Sequence, residues 1–403
     1  MRLKLGLTLI LGWMTLIGFS QKMPHEVRLI VEAVSILENN YYDSTFNNKD
    51  WLAIKKKAFE TKVGSIHESH QAIEQMLKEL DDPALRLLTP LEYEIFLNEA
   101  GGEKYNGIGL PELFSIDIDA NTKNLKVITP VPNSPATKAG IRTNDIIETI
   151  NGESVKDLFL QDITHKLRVR KDQEVTIGIN RNGKRKSYTL TGTEITPLTD
   201  PVYKLVTYKK KKIGCIWFPQ FPTAAALRFQ KILTYFKEQG VEGILLDLRS
   251  SPGGLVQEVN RIAGMSMGNK PLAFAGGNSI LFNPMMTAET SILGDLPMTI
   301  LVNQGTASAS ELLAGGLQHH GRATIVGERT QGKGLLHSFI PLSNGSMMVV
   351  SVGRLKLPNG RDILTQGVEP NVIIKNKKPF QFGESGKDKQ FKKGLKILIK
   401  KLK

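Results

Sequence analysis

Apolar residues near the start of the chain recur at three- and four-residue intervals. Val27, Ile30, Val31, Ala33, Val34 and Leu37 form one series, and Ala72, Ile73, Met76, Leu77 and Leu80 form another. That period is one face of an α-helix, so residues 21–100 are expected to make a small helical domain. Asn39-Asn-Tyr-Tyr-Asp43 and Asp81-Asp-Pro83 interrupt the stripes with turn chemistry. After Gly101-Gly102 the pattern shortens to β-runs at 124–129, 174–180 and 186–191, around a helix-like segment near 158–167. Residues 101–195 therefore read as a compact β-rich module. From Lys211 strands alternate with helices: strands at 213–218, 243–248 and 298–302, helices at 224–239, 255–265 and 309–318. This order predicts α/β layering around a buried sheet over residues 196–375. Within that span, 338–342, 346–352 and 354–357 read as paired strands around Ser343-Asn-Gly345.

The 403 residues are too many for one ordinary core and agree with several domains. Arg2 and Lys4 precede an apolar stretch from Leu5 to Ile17 that ends in Gly18-Phe19-Ser20. This is the layout of a signal peptide over residues 1–20, and its apolar part is shorter than the roughly 20 residues of a spanning helix. The protein is thus expected to be exported, with cleavage after Ser20 favoured over an uncleaved membrane anchor. Cys215 is the single cysteine, so no intrachain disulfide can form, and it reads as a buried strand residue.

The net charge of +14 is unevenly placed. Residues 375–403 hold eleven lysines against Glu384 and Asp388, which is nine of the fourteen net charges. The end of this basic tail, taken as residues 376–403, fits an amphipathic helix, either laid on an anionic membrane or else solvated or docked locally on the protein. Nucleic-acid binding is disfavoured, because no aromatic residues interleave with the basic ones in a stacking motif.

Two loops carry most of the chemical information. In Asp247-Leu-Arg-Ser-Ser-Pro-Gly-Gly254 an apolar strand ends in a proline-fixed turn whose glycines can expose backbone N–H groups to a negative oxygen. A plain strand-to-helix turn accounts for it equally well. In Asn303-Gln-Gly-Thr-Ala-Ser-Ala-Ser-Glu311 a serine opens a helix, where the macrodipole favours developing negative charge. Ser308 with Glu311 also fits a capping box, and Ser310 is a rival nucleophile. Twenty-five residues beyond Ser308 stands the lysine of Gly327-Glu-Arg-Thr-Gln-Gly-Lys-Gly334. The segment mimics a P-loop, but Gly334 replaces the Ser or Thr that would hold Mg²⁺, and a strand follows. A lysine buried beside a serine would lose its proton more readily, by up to about 3 to 5 units, and could act as a base. Solvated, it would be an ordinary surface charge.

At these loops the sequence resembles the carboxyl-terminal processing (tail-specific) proteases, a family of Ser/Lys-dyad serine peptidases with an inserted PDZ domain. The resemblance runs through Leu80-Asp-Asp-Pro83, Leu88-Thr-Pro90, Gly107-Ile-Gly109, Ser134-Pro-Ala136, Ala139-Gly-Ile141 and Asp145-Ile-Ile147. It continues through Asp247 to Gly254, Thr306 to Glu311, Gly332-Lys-Gly334, Pro358-Asn-Gly360 and Gly367-Val-Glu-Pro370. Their order and spacing together make it specific. It implies an α/β multidomain chain: a ClpP/crotonase-like protease core, an N-terminal helical domain and an inserted β-rich PDZ domain at 101–195. It implies Ser308 as nucleophile, Lys333 as general base, and Gly253 and Ala309 N–H groups as the oxyanion hole. No metal or organic cofactor is implied.

Relatives often place a glutamine four residues after the lysine, where this chain has His337. A protonated imidazole there would repel an ammonium, so activity at acidic pH is in question. The Gly-Pro-Lys-Gly turn often seen in relatives is also replaced, by Arg168-Val-Arg-Lys-Asp-Gln. The PDZ resemblance places peptide capture around Tyr105 to Leu113, with Gly107, Ile108 and Gly109 as the carboxylate loop. The implied function is an exported endopeptidase, periplasmic or otherwise extracytoplasmic, that cleaves near the apolar C-termini of protein or peptide substrates. A homo-oligomer is left open. Two rivals remain: a catalytically silent PDZ scaffold, and a crotonase-like acyl-transfer enzyme that would require coenzyme A.

Overall fold

The computed structural model describes residues 23–82, 84–110, 116–118, 124–156, 158, 160–277, 283–287, 291–364, 366–376, 382 and 388–402. The expected signal peptide at 1–20 lies outside the described residues, as do 377–381 and 383–387 of the basic tail. The chain divides into two compact units, residues up to Tyr93 with His337–Val352, and Glu94–Leu336 with Gly353–Lys403.

The first unit holds helices α1 (His25–Asn40), α2 (Trp51–Glu60) and α3 (Ile66–Glu79), then strand β1 (Arg86–Leu88). Leu29, Ile30, Ala33 and Leu37 of α1 meet Ile73, Met76 and Leu77 of α3, as the two stripes require. Asp50 and Ser65 cap α2 and α3 by accepting from Ala53 N and Glu68 N. The core is closed by Leu342, Met348 and Val350, from the hairpin that the sequence reading had grouped with the α/β residues. Residues 86–88 pair antiparallel with 347–349 of that hairpin.

Helix α4 (Pro90–Gly101) leads into the second unit, which opens with the β-rich module. Its elements are β2 (Tyr105–Gly107), β3 (Ile116–Ile118), β4 (Leu125–Val127), α5 (Pro135–Ala139), β5 (Ile146–Ile150), β6 (Glu153–Ser154), α6 (Leu160–Leu167), β7 (Glu174–Arg181), β8 (Lys184–Thr191) and β9 (Thr193–Ile195). The sheet runs β3-β4-β5-β7-β8 with β6 on β5, while β2 pairs β9. Val127, Ile147, Ile150, Ile177 and Ile179 point inward and Ile163 of α6 covers them.

The α/β part continues with β10 (Val202–Tyr208), β11 (Lys211–Trp217), α7 (Ala225–Glu238), β12 (Gly243–Asp247), α8 (Val256–Met267), β13 (Pro271–Gly276), β14 (Asn283–Met286) and β15 (Met298–Val302). It ends with α9 (Ala309–His319), β16 (Ala323–Gly327), β17 (Leu335–Pro341), β18 (Met347–Lys356), β19 (Val372–Ile373) and α10 (Lys389–Lys400). The main sheet runs β10-β11-β12-β15-β16-β19 and is parallel from β11 onward. Parallel strands bury both faces. Ile244, Leu246, Ile300 and Val302 face α7, α8 and α9, whereas Cys215, Leu245, Leu301 and Val326 face Phe391, Leu395 and Leu398 of α10. The basic helix is therefore docked. Its apolar face covers the sheet and is not available to enter a bilayer, while Lys389, Lys392, Lys396 and Lys400 remain exposed.

His70 of α3 supplies a test of the first unit. Asn344 Nδ2 donates to His70 Nε2 at 3.0 Å, which requires that nitrogen to be unprotonated, and Ser346 Oγ lies 3.2 Å from it. Burial lowers the His70 pKa, with Glu92 opposing. A histidine held neutral contributes stability that is complete above its unfolded pKa near 6.5 and lost as pH falls through the folded value. Urea unfolding of this unit is expected to show a lower midpoint at pH 5 than at pH 7.5, and His70→Gln to flatten the difference.

Candidate active site

The carboxyl ends of three adjacent parallel strands converge on one place, the usual location of a site in an open α/β sheet. Strand β12 ends at Asp247 and enters the Pro-Gly-Gly turn, β15 ends at Val302 before the loop to Ser308, and β16 ends at Gly327 before the loop to Lys333.

Ser308 is half-buried and holds φ 54°, ψ −124° on the sharp turn into α9. A non-glycine residue in that region costs about 1–3 kcal/mol and persists where the surroundings over-determine it. Ser310, the sequence rival, is wholly buried and hydrogen-bonded to Ser251 Oγ at 2.9 Å, so a peptide carbonyl has no access to it. The turn residues Gly253 and Gly254 have φ of 107° and 138°. A Cβ on Gly253 would fall 2.9 Å from Ser308 Cβ and 3.0 Å from Ala309 N, so only a glycine lets the turn approach the head of α9 this closely. The same turn is tied to the serine loop by Ala307 N donating to Ser251 O at 3.0 Å.

Glu311 joins the serine to the lysine. Its side chain is fully buried, and Oε2 accepts from Ser308 N at 2.8 Å and from Lys333 N at 2.9 Å. Oε1 accepts from Gly332 N at 2.7 Å and from the Thr330 hydroxyl. Burial pushes the Glu311 pKa up, and the four donors pull it back toward the carboxylate. Ser308 and Glu311 form the capping box at the head of α9, and the Glu311 N–H also donates to Ser308 O at 2.8 Å. The sequence reading saw Glu311 only as a capping partner. That three-residue spacing was its one visible signal.

Lys333 is half-buried, between Gly332 at φ 88° and Gly334, where a Cβ would meet Leu364 N at 2.3 Å. His337, on β17, belongs to the other compact unit, and its Nδ1 lies 3.4 Å from Ser351 Oγ. In the β-rich module Ile108 is buried, and Gly109 at φ 86° faces Ser134, whose Oγ a Cβ would meet at 2.1 Å. Residues 111–113 of the expected capture segment lie outside the described residues. The module touches the serine loop through Asn144 Nδ2 donating to Gln304 Oε1 at 2.6 Å. Among the described residues no group of three His, Cys, Asp or Glu converges as a metal site.

Behind the turn lies a buried charge cluster that the sequence did not reveal. Arg249 Nε and Nη2 donate to both carboxylate oxygens of Asp247, at 2.8 and 2.6 Å, with both side chains shut off from solvent. Trp217 Nε1 donates to Arg249 O at 3.1 Å.

A strained serine at a helix head, a glycine turn pressed against it and a lysine loop on a shared carboxylate describe a serine peptidase of α/β type. The models of peptidase family S41 and of the PDZ domain match residues 212–374 and 114–191. A carboxyl-terminal-processing protease of Picosynechococcus sp. is 34% identical over 376 residues, covering 93% of this chain and 89% of that protein. The chloroplastic C-terminal processing peptidase of Tetradesmus obliquus is 32% identical over 369 residues, covering 88% and 78%. The solved structure of the photosystem II D1 C-terminal processing protease is similar at TM-score 0.77 and 30% identity, covering 88% of this chain and 94% of that one. The chain belongs to the carboxyl-terminal-processing protease family, serine-type peptidases of family S41, and carries their PDZ domain.

The close approach at the turn gives a direct test. Gly253→Ala is expected to cut hydrolysis of an unstructured peptide by at least about 100-fold, the scale of a lost oxyanion donor. Circular dichroism should show the secondary structure retained, and a rate within a few-fold of the parent would contradict the role of the turn.

Proposed function

We propose that the protein is an exported endopeptidase that cleaves proteins near loose, apolar C-termini through Ser308 and Lys333. The observation that carries this reading is the Glu311 carboxylate, which accepts from the backbone N–H groups of Ser308 and Lys333 at 2.8 and 2.9 Å. One buried group thus sets the positions of both residues.

In this mechanism the uncharged Lys333 amine takes the Ser308 proton as Oγ attacks the scissile carbonyl. The Gly253 and Ala309 N–H groups receive the oxyanion, and Lys333 then protonates the leaving amine. Water hydrolyses the acyl-enzyme with Lys333 again as base. Gly107, Ile108 and Gly109 capture the substrate carboxylate on backbone N–H groups while the peptide adds as a strand. His337 stands where relatives often have glutamine. An extracytoplasmic site of action is supported by the signal-peptide layout at 1–20 and by the likeness to cyanobacterial and chloroplastic processing proteases. Among the described residues no helix is long and apolar enough to cross a membrane. Any contact with an anionic membrane surface runs through the exposed lysines of α10.

Fluorophosphonate labelling of the purified protein tests the reading. Labelling is expected in the parent and lost in Ser308→Ala, with Lys333→Ala lowering peptide hydrolysis by about 100-fold or more. A test protein ending in apolar residues should be cleaved faster than the same protein ending in charged ones. Equal rates would refute tail recognition. Tail binding without labelling would mark a silent PDZ scaffold.

A further inference from the structure

The charge cluster beneath the Pro-Gly-Gly turn includes a residue from the far end of the chain. With Nε and Nη2 of Arg249 engaged by Asp247, the Nη1 end faces the start of α10. There Asp388 Oδ2 lies 2.6 Å from Nη1, and Gln390 Oε1 accepts from the same nitrogen at 3.1 Å. Asp388 and Gln390 are both buried, and both stand beyond the 212–374 span of the peptidase match. On the functional reading above, we propose that Asp388 is a positioning residue for hydrolysis, acting through Arg249 on the turn that presents Gly253.

One carboxylate already neutralises Arg249. A second buried carboxylate is unfavourable unless its surroundings compensate it. Here they do: Asp388 Oδ1 accepts from Phe391 N and from Asn376 Nδ2, both at 3.0 Å, and the group sits at the positive end of the α10 dipole. What the second carboxylate adds is a charge at the Nη1 end, where Gln390 supplies the directed acceptor. A guanidinium held at both ends cannot swing in its plane, and its backbone is pinned as well, by Arg249 N to Asp247 Oδ1 at 3.1 Å and by Trp217 to its carbonyl. The next residue, Ser250, is held at φ 53° with its N–H on Asn303 Oδ1 at 2.8 Å. Gly253 follows three residues later, so the first turn of α10 restrains the turn through a short, stiff path.

The conservative variant separates this role from helix capping. Asparagine caps a helix as well as aspartate does, so Asp388→Asn keeps the acceptor for Phe391 N and puts an uncharged amide NH2, which cannot accept, where the carboxylate oxygen faced Arg249. In the full chain, D388N is expected to lower kcat on an unstructured peptide by about 10- to 100-fold, the scale of a small misplacement of catalytic groups. KM should stay within about twofold, fluorophosphonate labelling of Ser308 should slow in proportion to kcat, and Tm should stay near that of the parent. Should D388N not give folded protein, Gln390→Met, which removes the neutral acceptor from the same nitrogen, replaces it under the same criterion. The proposal is overturned if kcat and labelling stay within about twofold of the parent, if only KM changes, or if the loss disappears once rates are corrected for the folded fraction. A parent protein that neither labels nor cleaves overturns the functional reading itself, and the inference with it.

Discussion

A single carboxylate, that of Glu311, carries the restraint on which the rest of the site depends. It is fully buried, and it accepts from donors on both sides, Ser308 N on one loop and Thr330, Gly332 and Lys333 on the other. Those loops leave different strands, and Gln331 N donating to Thr306 O at 2.9 Å is a second tie between them. An unpaired buried carboxylate would cost several kcal/mol, so the group is tolerated only while both loops stay in place around it. The dependence is mutual. Lose either loop and the charge is exposed to an apolar interior; lose the charge and three buried backbone N–H groups are left without acceptors.

The same logic of compensation shapes the sheet. Strands that read as unbroken apolar runs, such as Gly243–Asp247 and Met298–Val302, need cover on both faces. The helices between strands supply one cover. The other comes from α10, where Gly394 lets the helix approach so closely that a Cβ would lie 2.8 Å from Leu301 Cδ2. The C-terminal segment is thereby structural before it is anything else. Its first turn then reaches Arg249, so the element that seals the lower face also contacts the residues under the Pro-Gly-Gly turn.

Much of this was legible in the residues. The helical stripes of α1 and α3, the strand-helix alternation after Lys211 and the glycine-rich loops rest on periodicity and backbone permissiveness, which are local properties. What stayed hidden is long-range. Helix α2 has only Ile54 and Ala58 buried, too few to mark a face. The reading paired strands around Ser343-Asn-Gly345 but split the single strand Met347–Lys356 in two, and nothing in it says that Leu342, Met348 and Val350 close the helical core of the first unit. The basic end of the chain was weighed as membrane-facing or docked, and its apolar spacing fits both. The sheet's need for a second cover is what docks the apolar face. Glu311 and Asp388 were the least readable, because a carboxylate near a serine or lysine in sequence says nothing of which backbone donors will surround it.

The strain at Ser308 follows from these restraints rather than standing apart from them. Its backbone is fixed from below by Glu311, from the side by the glycine turn, where a Cβ on Gly253 would meet Ser308 Cβ and Ala309 N, and from behind by Ala307 N on Ser251 O. Each tie alone is worth about 1 kcal/mol, comparable with the 1–3 kcal/mol that the conformation costs. Together they are of the same size as that cost. A conformation held by several independent ties does not relax when substrate arrives, so on the proposed mechanism an oxyanion at this turn would meet donors already oriented. The buried cluster of Asp247, Arg249 and Asp388 extends the same principle one layer outward, fixing the strand end from which the turn departs.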